Sequence, residues 1–185
     1  PALIFEGGNE YRSIDFSSEY TYGSGIERIV FNNDYQHVIL SADIYRNHES
    51  YLYTEDVNGK YIVHRQFSND VNFEADYMWL HFSLPVEQPF FTGSIFLIGD
   101  FIGNDFHLKN QMDYNAENNC YEKAILVKQG GINYQYLFVP KNSNNGSLEP
   151  IEGSFWQTNN EYQIFVYYRP RGERYDRLIG WKLIN

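Results

Sequence analysis

The chain has 185 residues, a formal net charge of −10, one cysteine and an aromatic share of 18%. Residues 1–100 carry 15 acidic side chains against 5 basic ones, while residues 101–185 carry 9 of each. A surface so poor in clustered Lys and Arg argues against phosphate-backbone binding, so no nucleic-acid partner is expected. Cys120 stands alone and cannot form an internal disulfide, and no stretch approaches the ~20 apolar residues of a membrane-spanning helix.

The sequence begins Pro1-Ala2-Leu3, without Met or an export signal, and is read as a piece of a longer protein. Short aromatic and β-branched runs broken by Gly, Asn and Asp then predict strands at 10–16, 25–32, 37–46, 50–55 and 60–66. A second series is predicted at 75–84, 94–101, 121–129, 132–139, 154–158, 162–169 and 177–184. No window keeps apolar residues at spacings of three and four, so at most a turn or two of helix is expected. Asn58-Gly59 signals a tight hairpin turn, Gly130-Gly131 a second, and 142–147 a polar loop tip. Alternation is clearest in 75–84, where Met78, Leu80, Phe82 and Leu84 share a face, and in 132–139, with Tyr134, Tyr136 and Phe138.

The pattern predicts an all-β fold, an immunoglobulin-like sandwich of early-set type preceded by a smaller β domain or half-domain. The polar stretch 67–74 is the expected break, giving a β-rich unit at 1–70 and the sandwich at 74–185.

Five histidines (His37, His48, His64, His81, His107) never fall at metal-ligand spacing of each other or of Cys120, so no metal and no cofactor are expected. The Asp56-Val57-Asn58-Gly59 run lacks the later ligands of a calcium loop. No nucleophile elbow, phosphate loop or His-Glu-x-x-His pair occurs, and no catalytic site is expected. The densest unusual feature is Tyr167-Tyr168-Arg169-Pro170-Arg171-Gly172-Glu173-Arg174-Tyr175-Asp176-Arg177, which holds four of the eight arginines. Two roles suit it: a turn tied by Arg–carboxylate pairs and Arg–Tyr stacking, or a recognition surface of interface-prone residues. The candidate contact residues are Tyr167, Tyr168, Arg169, Arg171, Arg174, Tyr175 and Arg177.

Gly7-Gly8-Asn9-Glu10-Tyr11-Arg12, Asp56-Val57-Asn58-Gly59-Lys60, Ala75-Asp76-Tyr77 leading to His81-Phe82-Ser83-Leu84-Pro85, and Val166-Tyr167-Tyr168-Arg169-Pro170 through Arg174-Tyr175-Asp176-Arg177-Leu178-Ile179-Gly180 together resemble one family. It is the plug protein family of the type IX secretion system, formerly a Bacteroidota domain of unknown function, in its C-terminal half. The likeness runs from Phe5 to Trp181. It implies a periplasmic protein of several β domains at the inner face of the outer membrane, whose N-terminal part this segment lacks. It also implies a non-catalytic role, closing the periplasmic side of an outer-membrane translocon barrel when no cargo is loaded, with that translocon protein as partner.

Residues 93–140 also look like the early-set modules that bind glycogen and starch. The shared features are Gly99-Asp100-Phe101, Met112 and Tyr134-Gln135-Tyr136-Leu137-Phe138 around a Gly turn. Those modules place a sugar-stacking Trp after the Gly-Asp-Phe corner, where this chain has Asn104 and, as its nearest ring, Phe106. Phe101 and Phe106 are thus the candidate glycan contacts of an alternative, carbohydrate-binding reading, with weak or absent α-glucan binding expected.

Overall fold

The computed structural model describes residues 5–20 and 22–184. The Pro1-Ala2-Leu3 start lies outside the described residues. The strands are β1 (Arg12–Asp15), β2 (Ile26–Asn32), β3 (Tyr35–Leu40), β4 (Tyr61–Val63), β5 (Tyr77–Pro85), β6 (Gly93–Ile98), β7 (Asp113–Asn115), β8 (Cys120–Lys128), β9 (Gly130–Pro140), β10 (Tyr162–Tyr168) and β11 (Arg177–Ile184). Two four-residue helices, α1 (Val71–Glu74) and α2 (Glu149–Glu152), complete a nearly all-β structure. Among the described residues no helix is long and apolar enough to cross a membrane.

Two sheets pack face to face. In the first, the start of β9 lies between β1 and β4, and its second half pairs with β6, all antiparallel. The second runs β2-β3-β5-β8-β7, with β3 and β5 parallel. Alternation in β5 sends Met78, Leu80, Phe82 and Leu84 into the core and leaves Trp79, His81 and Ser83 on the outer face. Across the gap, β1 contributes Ile14, β6 Ile95 and Leu97, and β9 Ile132, Tyr134 and Tyr136. Each buried aliphatic or aromatic side chain contributes about 1.5–3 kcal/mol of transfer free energy.

This core corrects the expected division at 67–74. β1 and β4 pair with β9, and β3 pairs with β5, so both sheets are built from strands on either side of that stretch. One apolar cluster from Ile14 to Ile151 fills the space between them. The polar residues around 67–74 mark a surface crossover, with Asp70 capping α1 through the Asn72 N–H.

Neither of the two expected tight hairpin turns forms. Asn58 and Gly59 do adopt positive φ, 55° and 75°, but no hairpin forms, because 50–55 is not a strand. Asp56 instead accepts the Tyr11 N–H at 2.8 Å and the Asn58 N–H at 2.7 Å, and the Val57 N–H bonds Asn133. Gly130-Gly131 is not a hairpin either, since β8 and β9 belong to different sheets. Gly130 is required for close packing: a Cβ there would lie 2.1 Å from the Ile62 carbonyl oxygen of β4. Residues 154–158 are turn rather than strand.

A buried ionic network crosses the sandwich. The Glu152 side chain, wholly buried, accepts from Arg12 Nε at 3.0 Å, Arg46 Nε at 2.7 Å and the Tyr136 backbone N–H at 2.9 Å. Arg12 also donates to Asp43 at 2.8 Å, and Asp43 accepts the Tyr134 and Tyr136 hydroxyls at 2.9 and 2.6 Å. Burial alone would weaken proton binding by the Arg12 guanidinium, but the facing Glu152 and Asp43 carboxylates more than offset it and hold it above its ordinary value. Burial and Asp43 together push the Tyr134 and Tyr136 hydroxyls well above theirs. Removing one partner leaves buried guanidinium charge uncompensated. Glu152→Gln is therefore expected to lower the unfolding free energy by about 3–5 kcal/mol in a urea titration.

Candidate functional site

The Arg–Tyr segment lies at the free end of an antiparallel ribbon. Among the described residues β10 and β11 pair only with each other, with Tyr168 opposite Arg177 as the last rung. Beyond that rung the chain reverses through Pro170-Arg171-Gly172-Glu173, closed by a Glu173 N–H to Pro170 carbonyl bond of 3.1 Å. Pro170 opens the turn, and Gly172 supplies the positive φ of 95° at its third position, the arrangement of a type II turn. Arg171 is thereby carried to the apex.

The four arginines of the segment divide into two kinds. Arg169 makes a two-point contact with Asp176, Nε to Oδ1 and Nη2 to Oδ2, both at 2.8 Å. Arg177 bonds Glu173 and lies 5.5 Å from the centre of the Tyr175 ring. These pairs are exposed and add little stability, but they fix the direction of the tip. Arg171 and Arg174 are exposed and pair with no acid among the described residues, so the tip offers two cations on a preset turn. Tyr167 and Tyr168, 62% and 55% exposed, stand beside it. Arg169 and Arg177 thus brace the turn, as one of the two roles expected from the sequence requires, while Arg171 and Arg174 stay exposed.

Phe101 and Phe106 are not brought together. Phe101 stacks on the core residue Phe82 at 6.0 Å, on the side of β6 that carries Ile95 and Leu97. Phe106 packs on Phe96 at 5.8 Å, and Phe96 alternates to the opposite side of that strand. The two rings cannot form one platform for a sugar.

A second candidate, which the sequence does not reveal, lies on the outer face of the five-stranded sheet. Parallel pairing sets His37 against Trp79 and Ile39 against His81. His37 Nδ1 and His81 Nε2 are 2.8 Å apart, and the His37 ring also stacks on Trp79. His81 borders an open cleft of about 500 Å³ with Ser83, Asp113, Glu122 and Lys123. Only the register of distant strands joins these histidines, so spacing along the chain carried no trace of the pair. Among the described residues no group of three or more His, Cys, Asp or Glu is arranged to hold a metal ion. Cys120 is buried, and its thiol donates to Glu122 at 3.1 Å; burial, then Glu122, pushes its pKa up to about 11, far from a reactive thiolate.

The histidine contact needs one ring to donate and the other to accept, so it excludes two imidazolium rings. Burial first, then His37, lowers the His81 pKa below its ordinary value, with Glu122 opposing. The unfolded chain therefore binds this proton more readily than the folded one. The corresponding stability is fully present above about pH 6.5 and is lost as pH falls from there toward the lowered folded value. The urea midpoint is expected to drop between pH 7 and pH 5.5, and to drop less in His81→Gln; equal slopes would assign the loss to other groups.

No protein-family model matches the chain, and no curated protein is similar to it. It is similar to a solved structure, that of a hypothetical protein from Parabacteroides merdae ATCC 43184 at 2.30 Å resolution. The two are 46% identical and superpose with a TM-score of 0.93 over 97% of this chain and 45% of that one, so the present chain spans less than half the length of that relative.

Proposed function

We propose that the chain is a non-catalytic, protein-binding β module, acting in the periplasm at the inner face of the outer membrane as a plug-type component against a translocon protein. The observation that carries this reading is the tip at 169–177, a turn that exposes Arg171 and Arg174, neither paired with an acid among the described residues, beside Tyr167 and Tyr168. Arg and Tyr anchor partners through charge-assisted bonds and ring contacts at modest entropy cost. The core ionic network does not compete as a reaction centre, because Glu152 is wholly buried and its oxygens are occupied by Arg12, Arg46 and the Tyr136 N–H. The family resemblance of 5–181 supplies the location and the partner, and the early-set, immunoglobulin-like type of the sandwich belongs to the same proposal. Carbohydrate binding has less support, since Phe101 and Phe106 face opposite sides of β6.

The test is capture of envelope proteins by the full-length protein from native membranes, with wild type and variants compared. Arg171→Glu reverses the apex charge without breaking a contact within the chain. It is expected to leave the melting temperature unchanged and to cut translocon recovery at least roughly tenfold, as for a hot-spot loss of about 1.4 kcal/mol or more. Arg177→Ala should reduce capture less and act by loosening the Glu173 and Tyr175 contacts. Recovery of the translocon at wild-type levels by Arg171→Glu would move the contact surface elsewhere.

A further inference from the structure

The ribbon itself, as distinct from its tip, is apolar on both faces. Phe165 opposes Trp181 and Gln163 opposes Leu183, and a bulge after Val166 puts Tyr167 opposite Leu178 on that same face. Phe165 and Trp181 are 48% and 67% exposed. The reverse face carries Ile164, Val166, Tyr168 and Ile184, all exposed, with the charged Lys182 opposite Ile164. A lone two-stranded ribbon is at best marginally stable in water, and a contiguous apolar patch of this kind marks a surface that is normally covered.

Both ends of the described chain converge on the foot of this ribbon. Tyr162 pairs with Ile184, and its ring lies 5.1 Å from that of Phe5. An open groove at that foot sets Phe5, Trp156 and Tyr162 among polar groups that include Glu6, Glu149, Asn159 and Asn160. Polypeptide joined at either end is therefore delivered next to the ribbon at high effective concentration. In the Parabacteroides merdae relative, the matching segment is only 45% of the chain.

We infer that the two faces of the β10–β11 ribbon, with the groove at its foot, form an intramolecular docking site for the additional domain of a longer protein of which this segment is a part. The docked domain covers Phe165, Trp181 and Leu183 and stiffens the ribbon, leaving the Arg171 apex free. Ordering the ribbon in this way would also fix the tip, without bearing on what the tip binds.

Hydrogen exchange followed by mass spectrometry tests this on the uninterrupted natural chain and on the 185-residue segment, which carries its own core. Amides of β10 and β11 are expected to exchange roughly tenfold or more slowly in the longer chain, while those of β5 and β8 stay equal. Trp181→Asp in the longer chain should restore fast exchange in the ribbon alone. Equal ribbon exchange in the two proteins would overturn the inference. So would ribbon protection in the segment that rises with protein concentration, which would make a second copy the occupant. Capture of a translocon by the tip is measured separately, so failure of one idea leaves the other standing.

Discussion

The Glu152 carboxylate is the point on which the sandwich depends. It has no exposed surface, yet it receives Arg12 from β1, Arg46 from the segment after β3, and the backbone of β9. Those groups lie 140, 106 and 16 residues away along the chain. A carboxylate in such a place is tolerable only because every oxygen is bonded and the two guanidinium groups are balanced by Glu152 and Asp43. The apolar cluster supplies most of the driving force, and it would accept many pairings of similar hydrophobic faces. The charged network accepts few, since a slipped register would bury an unpaired ion. It therefore acts on specificity, holding the first strand and α2 to the same central strand.

The rest of the molecule reads as a division of labour around that fixed body. The sandwich is closed, and its buried charges are spent on each other. What projects from it is a ribbon whose tip is polar and pre-shaped and whose shaft is apolar and bare. A rigid support with an exposed, chemically distinct extension suits recognition by contact, whereas turnover needs groups converging in a cleft. The His37–His81 pair, with His81 at the edge of an open cleft on the outer face of the five-stranded sheet, is the nearest approach to such a cluster.

Much of the fold was legible because it rests on local rules. The period-two run of Met78, Leu80, Phe82 and Leu84 could bury only one face, and it does. The aromatic run Tyr134-Gln135-Tyr136 similarly announced a buried strand. What could not be read was the pairing of distant segments. Gly130-Gly131 looks like a hairpin turn in one dimension and is in fact a crossing between sheets, where glycine is demanded by the approach of β4. The polar residues around 67–74 look like a linker, yet the strands on either side share one core. At the site, the Arg–Tyr cluster was visible from composition, but its separation into tied and free arginines depends on where Glu173 and Asp176 fall around the turn. Arg12 and Glu152 gave no warning, since a charged residue in sequence looks the same whether solvated or buried.

A double-mutant cycle between Arg12 and Glu152 tests most directly whether this contact joins the two parts of the chain. Arg12→Met, Glu152→Gln and the double variant would be compared with wild type by equilibrium urea unfolding. If the buried pair couples β1 to α2, the double variant should be more stable than the sum of the single losses implies, by about 1–3 kcal/mol. Losses that add to within about 0.5 kcal/mol would show that the two residues act independently, and would contradict the account.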